Sequence, residues 1–288
     1  MIELRNPAIA KELEKAVARR TYSELFTLLR RFSGLPGPCP NEKLGWAVAN
    51  AVAAYGSRAD GLVAELCSVG RGRVPEKGTA EFLPIVGAFC LAARFSSGAD
   101  AESVLGGLRA LAEDPRHLVR ESVVTALGEM THRARGELVE LLGNWTDGYL
   151  SASVALDAMT TRSWLDGVRS PEPLLARLDE VFSLAESAPR ADQRSQGYRT
   201  LLKTLPEGLA RLMDRFPDAT VAWLESRAGI EHVDLREAFT EVALRLRARG
   251  HAVGKLERFG QLLAASAPPR RDPRTYVGPT RKRGARRR

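Results

Sequence analysis

The sequence contains few aromatic residues and few cysteines, and these two shortages narrow the classes of protein to which it can belong. Only 6% of its 288 residues are aromatic, although 44% are hydrophobic, and Ala, Leu and Val dominate the apolar side chains. This composition suits close-packed helices. The three cysteines, Cys39, Cys67 and Cys90, are far apart and odd in number. They predict neither a disulfide framework nor a metal site, and they indicate a reducing cytoplasm.

Long uncharged stretches are also missing. No window reaches the roughly 18 uncharged residues of a membrane span, and the segment from Met1 to Pro7 lacks the charged start and apolar stretch of a signal peptide. Alternating polar and apolar residues, which mark β-strands, are almost absent over four or more positions. The sequence therefore predicts a cytoplasmic, all-α protein without integral membrane association.

What the sequence does contain is apolar residues at helical spacing, and Asn6-Pro7 is the first of many helix-start signals. The predicted helices come in pairs. They span residues 7–20, 22–32, 42–55, 60–69, 82–95, 100–113, 117–133, 136–142, 149–160, 171–188, 191–205, 207–216, 218–227, 233–249 and 253–265.

Several of these helices resemble one another. Residues 51–56 (AVAAYG), 87–92 (GAFCLA) and 123–128 (VVTALG) lie about 36 residues apart, and 153–158 (SVALDA) follows at a slightly shorter interval. Such a period is typical of a solenoid. Small residues at these positions allow adjacent helices to approach closely, as stacked repeats require. We expect a right-handed α-solenoid of stacked antiparallel helix pairs over residues 1–265.

The segment from Asp114 to Gly128 (DPRHLVRESVVTALG) resembles the start of the inner helix of a HEAT repeat, and residues 234–238 are a weaker echo. In that family the Asp and Arg typically pair between neighbouring repeats. The resemblance therefore implies a structural ladder role for Asp114 and Arg120, with contact between Arg120 and a ligand as the alternative.

Signals for catalysis and cofactors come out negative. The loop at residues 70–79 contains Arg71, Arg73 and Lys77, but it lacks the order of a phosphate-binding loop and no strand precedes it. These three residues could still contact an acidic partner. The four histidines show no zinc-site spacing, and no Gly-Xaa-Ser-Xaa-Gly motif is present. We therefore expect no metal, no cofactor and no enzymatic activity.

One enzymatic alternative uses a similar architecture, because the chain also resembles the HEAT-like DNA glycosylases of alkylation repair in length and helical pairing. That family implies a concave Trp followed by an Asp one helical turn later, with an Arg from a later repeat. None of the four tryptophans here has a carboxylate four residues later. Asp147 and Asp166 follow their tryptophans by two positions, which points them away on a helix.

The strongest positive signal lies at the C-terminus, where residues 266–288 combine Pro, Gly and like charges and predict a disordered tail. Removing its nine basic residues and one acid from the 43 basic and 35 acidic residues of the chain leaves 34 of each, so the body is formally neutral. Arginine suits bidentate phosphate contacts. The predicted nucleic-acid-binding residues are Arg270, Arg271, Arg274, Arg281, Lys282, Arg283, Arg286, Arg287 and Arg288.

The sequence thus predicts a non-enzymatic adaptor. Its helical body binds a protein partner, and its tail engages RNA or DNA without sequence selectivity. Three other uses of the tail stay open: a solubilising extension, contact with an acidic protein and contact with an anionic membrane surface. Two alternatives for the whole chain also stay open, namely a pure protein scaffold with an inert tail and a diverged DNA glycosylase.

Overall fold

A computed structural model describes residues 4–69, 78–134, 137–250 and 253–267. Within them the chain forms fifteen α-helices and four short 3₁₀ turns and no β-strand, so the prediction of an all-α protein is confirmed. The helices are α1 (Pro7–Arg19), α2 (Ser23–Arg31), α3 (Glu42–Ala53), α4 (Asp60–Ser68), α5 (Phe82–Ser96), α6 (Ala101–Ala112), α7 (His117–Ala134), α8 (Glu137–Leu141), α9 (Tyr149–Met159), α10 (Arg162–Gly167), α11 (Glu172–Glu186), α12 (Gln196–Arg215), α13 (Pro217–Arg227), α14 (Val233–Ala248) and α15 (Val253–Ala265).

Short polar side chains start several of these helices. The Asn6 side chain accepts hydrogen bonds from the backbone N–H groups of Ala8 and Ile9, and Pro7 occupies the first helical position. Asp100 accepts from the N–H of Ser103 at the start of α6. Such caps satisfy backbone donors that have no partner within the helix, which explains why the helix starts could be read from the sequence.

The helix pattern differs from the prediction in three places. The helix predicted to begin at residue 191 begins at Gln196, because a 3₁₀ turn occupies Asp192–Arg194. The interruption predicted near Pro206 is wrong, because α12 runs unbroken through it. Proline removes one backbone hydrogen bond, but Pro206 is buried and α12 packs against both α9 and α14, so tertiary packing outweighs that loss. The six-residue helix α10 was not predicted, since so short a segment shows no helical period.

The helices that carry the repeated segments pack on one another in chain order. Helix α3 contacts α5, α5 contacts α7, and α7 contacts α9. The series continues from α9 to α12 and from α12 to α14. The intervening helices pack beside this row: α4 and α6 contact α5, α11 contacts α9, and α13 contacts α12 and α15.

Helix α5 forms the centre of the core, and each of its residues from Phe82 to Ala93 is buried. Its approach to neighbouring helices depends on glycine. A Cβ atom on Gly87 would lie 2.8 Å from the Sγ of Cys67 in α4, and one on Gly45 of α3 would lie 2.8 Å from the Phe89 ring. Larger residues would therefore force these helices apart.

The end of α15 is fastened to the body. Arg236 donates to the backbone carbonyl of Leu263 (2.6 Å) and to the hydroxyl of Ser266 (2.6 Å), and that hydroxyl donates to the carbonyl of Ala228 (2.7 Å). Helix α15 ends at Ala265, where the sequence placed the boundary of the body, but Ser266 still contacts the body. The predicted disordered tail beyond residue 267 lies outside the described residues.

Candidate functional site

Most residues that the sequence singled out for binding lie outside the described part of the chain. This applies to the loop residues Arg71, Arg73 and Lys77 and to the nine basic residues between 270 and 288. Their roles therefore stay predictions. The described residues contain the other predicted pair, Asp114 and Arg120, and a groove that the sequence analysis did not anticipate.

Asp114 and Arg120 lie at the start of α7, in a buried polar cluster. Both oxygens of Asp114 accept from Arg116, from its Nε at 2.8 Å and its Nη2 at 2.6 Å, and both side chains are at most 3% exposed. The Nη2 atom also donates to the carbonyl of Val69, after α4 (3.2 Å). The bond to Asp114 outweighs the opposing effect of burial and raises the pKa of Arg116.

Arg120 donates to the backbone carbonyls of Asp114 (2.7 Å) and Pro115 (2.6 Å). These contacts hold the turn before α7, while Arg116 connects this turn to the end of α4. Arg116 was missed because it has no place in the repeat pattern that drew attention to Asp114 and Arg120. The inter-repeat ladder itself stays a prediction.

The four tryptophans lack the arrangement implied by the glycosylase resemblance. Trp145 and Trp164 are each 2% exposed, and the ring of Trp46 is stacked on Phe89 with centroids 4.5 Å apart. A base that is to be held by stacking requires an open aromatic face. These three rings are occupied in packing.

Trp223 is closer to the pattern, because its Nε1 donates to Asp179 (2.7 Å) and Arg227 donates to the same carboxylate oxygen (2.6 Å). No short sequence pattern indicates this combination, since Asp179 lies in α11, 44 residues before the tryptophan. However, Trp223 is only 7% exposed, and its ring packs edge-to-face against both Phe182 and Phe239. The three residues therefore fasten α13 to α11.

A groove of about 570 Å³ lies where α10, α12 and the C-terminal ends of α9 and α14 meet. Its walls are rich in charge, and we call it the arginine groove. It is defined by Arg162, Arg211, Arg215 and Arg249 together with Asp166, Glu207 and Asp214.

Glu207 is the central acceptor of the network beside this groove. It accepts from Arg249 (2.6 Å), from Arg245 (2.8 Å) and from Arg211 (3.2 Å). Burial alone would raise the pKa of this carboxyl, but attraction to Arg249 and Arg211 outweighs burial and lowers the pKa below its ordinary value of 4.5. Glu207 is therefore ionised at neutral pH.

Two of the groove arginines have second carboxylate partners. Arg211 donates to Asp157 at the end of α9 (2.6 Å), and Arg249 donates to Asp214 of α12 (2.5 Å). These ion pairs join α9, α12 and α14 at their C-terminal ends. They fix the positions of both guanidinium groups, and they also balance their charge.

The other two groove arginines, Arg215 and Arg162, are held less firmly by neighbouring groups. Within the described residues no carboxylate lies within ion-pair distance of Arg215; its Nε donates to the carbonyl of Leu165 at 3.4 Å, and its guanidinium lies 4.9 Å from the centre of the Phe216 ring. The Arg162 side chain is 94% exposed and is 3.6 Å from Asp166. Both can therefore contact a ligand without giving up a buried ion pair.

The wider surface of α12 is locally basic. Arg199, Lys203, Glu207, Arg211 and Arg215 recur at intervals of four and therefore share one face of the helix. This four-residue spacing was the sequence signal that could have revealed the site. The total charge of the body does not reveal it, because local excesses of positive and negative charge cancel in that total.

Three further observations do not assign a function to this chain. Within the described residues no group of three or more His, Cys, Asp or Glu side chains is placed to hold a metal ion. One stretch, Thr79–Ser96, is long and apolar enough to cross a membrane, but 72% of it is buried inside the protein, as in a core helix. Comparison with family models, curated proteins and solved structures finds no match for this chain.

Proposed function

We propose that this protein is a non-enzymatic adaptor of the helical-repeat class. In this proposal the helical body binds a protein partner, and residues 270–288 bind nucleic acid without sequence selectivity. The observation that carries the proposal is the order of packing, in which α3, α5, α7, α9, α12 and α14 contact one another in succession.

That order supports a right-handed α-solenoid of stacked antiparallel helix pairs. In a solenoid each repeat contacts only its neighbours, and the resulting elongated surface is used to bind macromolecules. The helices beside the row, such as α4, α6 and α13, would form the second layer of each pair. The spacing of the repeated segments by about 36 residues supports the same architecture.

The solenoid predicts an elongated particle. Small-angle scattering should give a radius of gyration larger than that of a compact globule of 31.5 kDa. Because the tail would also extend the particle, the measurement is made on a chain that ends at Ala267 as well as on the full chain. A compact particle for the shortened chain would contradict the solenoid.

The role of the tail rests on its charge. The sequence after residue 265 contains nine cationic side chains and one acidic side chain, whereas the preceding chain contains equal numbers of basic and acidic residues. Cationic side chains that neutralise phosphates release condensed counterions, so affinity falls steeply with salt. Contacts between arginine and phosphate carry no base identity.

The test is a salt titration of the full chain and of the chain that ends at Ala267, on one labelled duplex and one single strand. This end point keeps Ser266 and its hydrogen bonds to Arg236 and Ala228. The full chain should bind both nucleic acids with a log–log salt slope of several units, about −0.9 for each phosphate neutralised on the duplex. The shortened chain should lose this binding, and scrambled oligonucleotides should compete equally with the full chain.

The other outcomes separate the alternatives. Equal affinity of both chains would place the nucleic-acid site on the body and favour the glycosylase. No binding by either would favour the protein scaffold with a solubilising tail. Partner capture from the native cell with and without nuclease tests the body, because a protein bound by the body should persist after nuclease treatment and after removal of the tail.

A further inference from the structure

We propose that the arginine groove binds a small phosphate monoester, and that Arg215 and Arg162 supply the guanidinium groups that contact the phosphate. This site is separate from the tail, and the inference does not depend on the adaptor function. It follows from the size of the groove, the way its arginines are held and the balance of charge around it.

The size and lining of the groove fit a small organic anion. Its volume of about 570 Å³ falls within the range of roughly 300 to 1,000 Å³ that is usual for small-molecule sites. Leu165 also lines the groove and is 5% exposed, so it adds a small apolar surface beside the charged groups. A ligand with both an anionic group and an apolar body matches this lining.

The groove is shaped before any ligand arrives. Glu207 holds Arg211 and Arg249, and these arginines also bind Asp157 and Asp214. A binding site of fixed geometry requires less ordering when its ligand binds. Because these two guanidinium groups are already neutralised, their main contribution is to form the wall on which the ligand lies.

Arg215 is the main contact in this proposal. Its guanidinium lies over the Phe216 ring, which limits its orientations. Its bond to the carbonyl of Leu165 is long, at 3.4 Å, and no acceptor in the described part of the chain binds its terminal N–H groups. Among the described residues it therefore combines a restricted position with donors that a ligand can use.

Arg162 is the first residue of α10 and lines the groove from that helix. Its contact with Asp166 is 3.6 Å, longer than a good charged hydrogen bond. Pairs that are this exposed contribute little to stability. Arg162 can therefore turn towards an anion in the groove at little cost.

The charges favour phosphate over carboxylate. The groove has four arginines and three carboxylates, and two of the arginines, Arg162 and Arg215, are only weakly held by other groups. One guanidinium fork already matches the two oxygens of a carboxylate, whereas a phosphate monoester offers three terminal oxygens and a charge of about −1.5 to −2. Two guanidinium groups are therefore better matched by phosphate.

The same charges disfavour a continuous nucleic-acid strand. Asp166, Glu207 and Asp214 are interleaved with the arginines, so successive phosphates along a backbone would meet carboxylates as well as guanidinium groups. A single phosphate can avoid this repulsion. The groove is thus suited to one phosphate rather than to a phosphate track.

The test measures phenyl phosphate binding to the full chain by calorimetry. Arg215→Gln is compared with Arg199→Gln, a control on the exposed surface of the same helix and outside the groove. Each change removes one positive charge, so the non-specific attraction of the anion to the whole protein, tail included, should change by the same amount in both variants. We expect Arg215→Gln to weaken binding by at least about ten-fold, because hydrogen bonds to a charged ligand are lost.

Arg162→Gln provides a second variant and should also weaken binding, whereas Arg199→Gln should bind like the parent. Both groove positions are exposed, and thermal melting checks that each variant is folded. Benzoate, which keeps the ring but carries a carboxylate, should bind at least about ten-fold more weakly than phenyl phosphate, since it engages only one guanidinium fork.

Four results would overturn the proposal. The first is no measurable binding of phenyl phosphate by the parent at millimolar concentration. The second is equal binding by Arg215→Gln and Arg199→Gln. The third is benzoate affinity equal to that of phenyl phosphate. The fourth is a loss of single-stranded oligonucleotide binding in Arg215→Gln with phenyl phosphate binding unchanged, which would assign the groove to nucleic acid.

Discussion

Helices α5, α12 and α14 belong to one row of packed helices, but their surroundings differ. Helix α5 lies in an apolar core, whereas α12 and α14 carry a charged, solvent-exposed face. Helix α5 is surrounded by α2, α3, α4, α6 and α7, and its residues from Phe82 to Ala93 are all buried. Helices α12 and α14 each bury one face and leave the other to solvent, where Glu207 and the arginines around it form a charged network.

The difference shows how one packing arrangement serves two purposes. Around α5, small residues allow close approach, and the polar groups that are present, such as Asp114 and Arg116, are buried and paired. Around α12, polar groups face solvent and hold a groove open. We therefore expect substitutions near α5 to act on stability, and substitutions near α12 to act more on binding than on folding.

The largest effect is expected for Asp114→Ala. This change would leave the Arg116 guanidinium buried without its carboxylate, so the free energy of unfolding should fall by about 3–5 kcal/mol, measured by chemical denaturation. The control is Asp147→Ala, which removes an exposed pair with Arg109 and should cost less than about 1 kcal/mol. Equal losses in the two variants would contradict a structural role for Asp114.

The next effect is expected for Gly87→Ala, because the added Cβ would meet Cys67. Overpacking at this contact between α4 and α5 should lower the free energy of unfolding by about 1–3 kcal/mol. Gly106→Ala, in the exposed part of α6, meets nothing within 4 Å and should stabilise the protein by up to about 1 kcal/mol. If both variants are stabilised, the close approach of α4 and α5 is wrong.

A pH-dependent effect is expected for Glu207→Gln. The folded protein lowers the pKa of Glu207, so this carboxylate stabilises the fold above its ordinary pKa of 4.5, and the contribution is lost as pH falls through the lowered value. At pH 7 the variant should be less stable by about 1–2 kcal/mol.

Denaturation of the parent and of Glu207→Gln from pH 7 to pH 3 tests this effect. The difference in stability should shrink at the acid end. Glu241→Gln serves as the control, since its carboxylate is half exposed and, among the described residues, pairs only with Arg245. A Glu207 difference that is independent of pH would show that the loss does not come from the charge.

The smallest effect is expected on the open face of α14. Leu244 is 60% exposed, so Leu244→Ala should change the free energy of unfolding by less than about 0.5 kcal/mol. Leu246→Ala, two residues later on the same helix, removes a fully buried side chain and should cost about 2–5 kcal/mol. Similar melting of these variants would mean that α14 is covered on both faces.

The sequence predicted the all-helical fold and most helix bounds to within about two residues, and the reason is local. Apolar residues at helical spacing and caps such as Asn6 and Asp100 act over one or two turns, so they can be read from a short window. The same local reasoning failed at Pro206, where the contacts of α12 with α9 and α14 decide the outcome.

The arginine groove shows what local patterns leave out. The four-residue spacing of charges on α12 was present in the sequence, but it did not reveal which of those charges are neutralised. Arg211 finds Asp157, 54 residues earlier in the chain, whereas Arg215 finds no carboxylate among the described residues. Whether an arginine has an acidic partner depends on residues that are distant in the chain but close in space. The folded structure is therefore needed to identify arginines that remain available to a ligand.

The sequence by itself therefore determined the helices, their succession and the concentration of positive charge after residue 265, because each of these depends on residues close together in the chain. The tertiary structure alone decided that the neighbouring residues Asp114 and Arg116 are buried against the end of α4, that α12 continues through Pro206, and that a groove opens beside Glu207. These features depend on which helices meet, since burial and the contacts between helices are set by groups that are distant in the chain and adjacent in space.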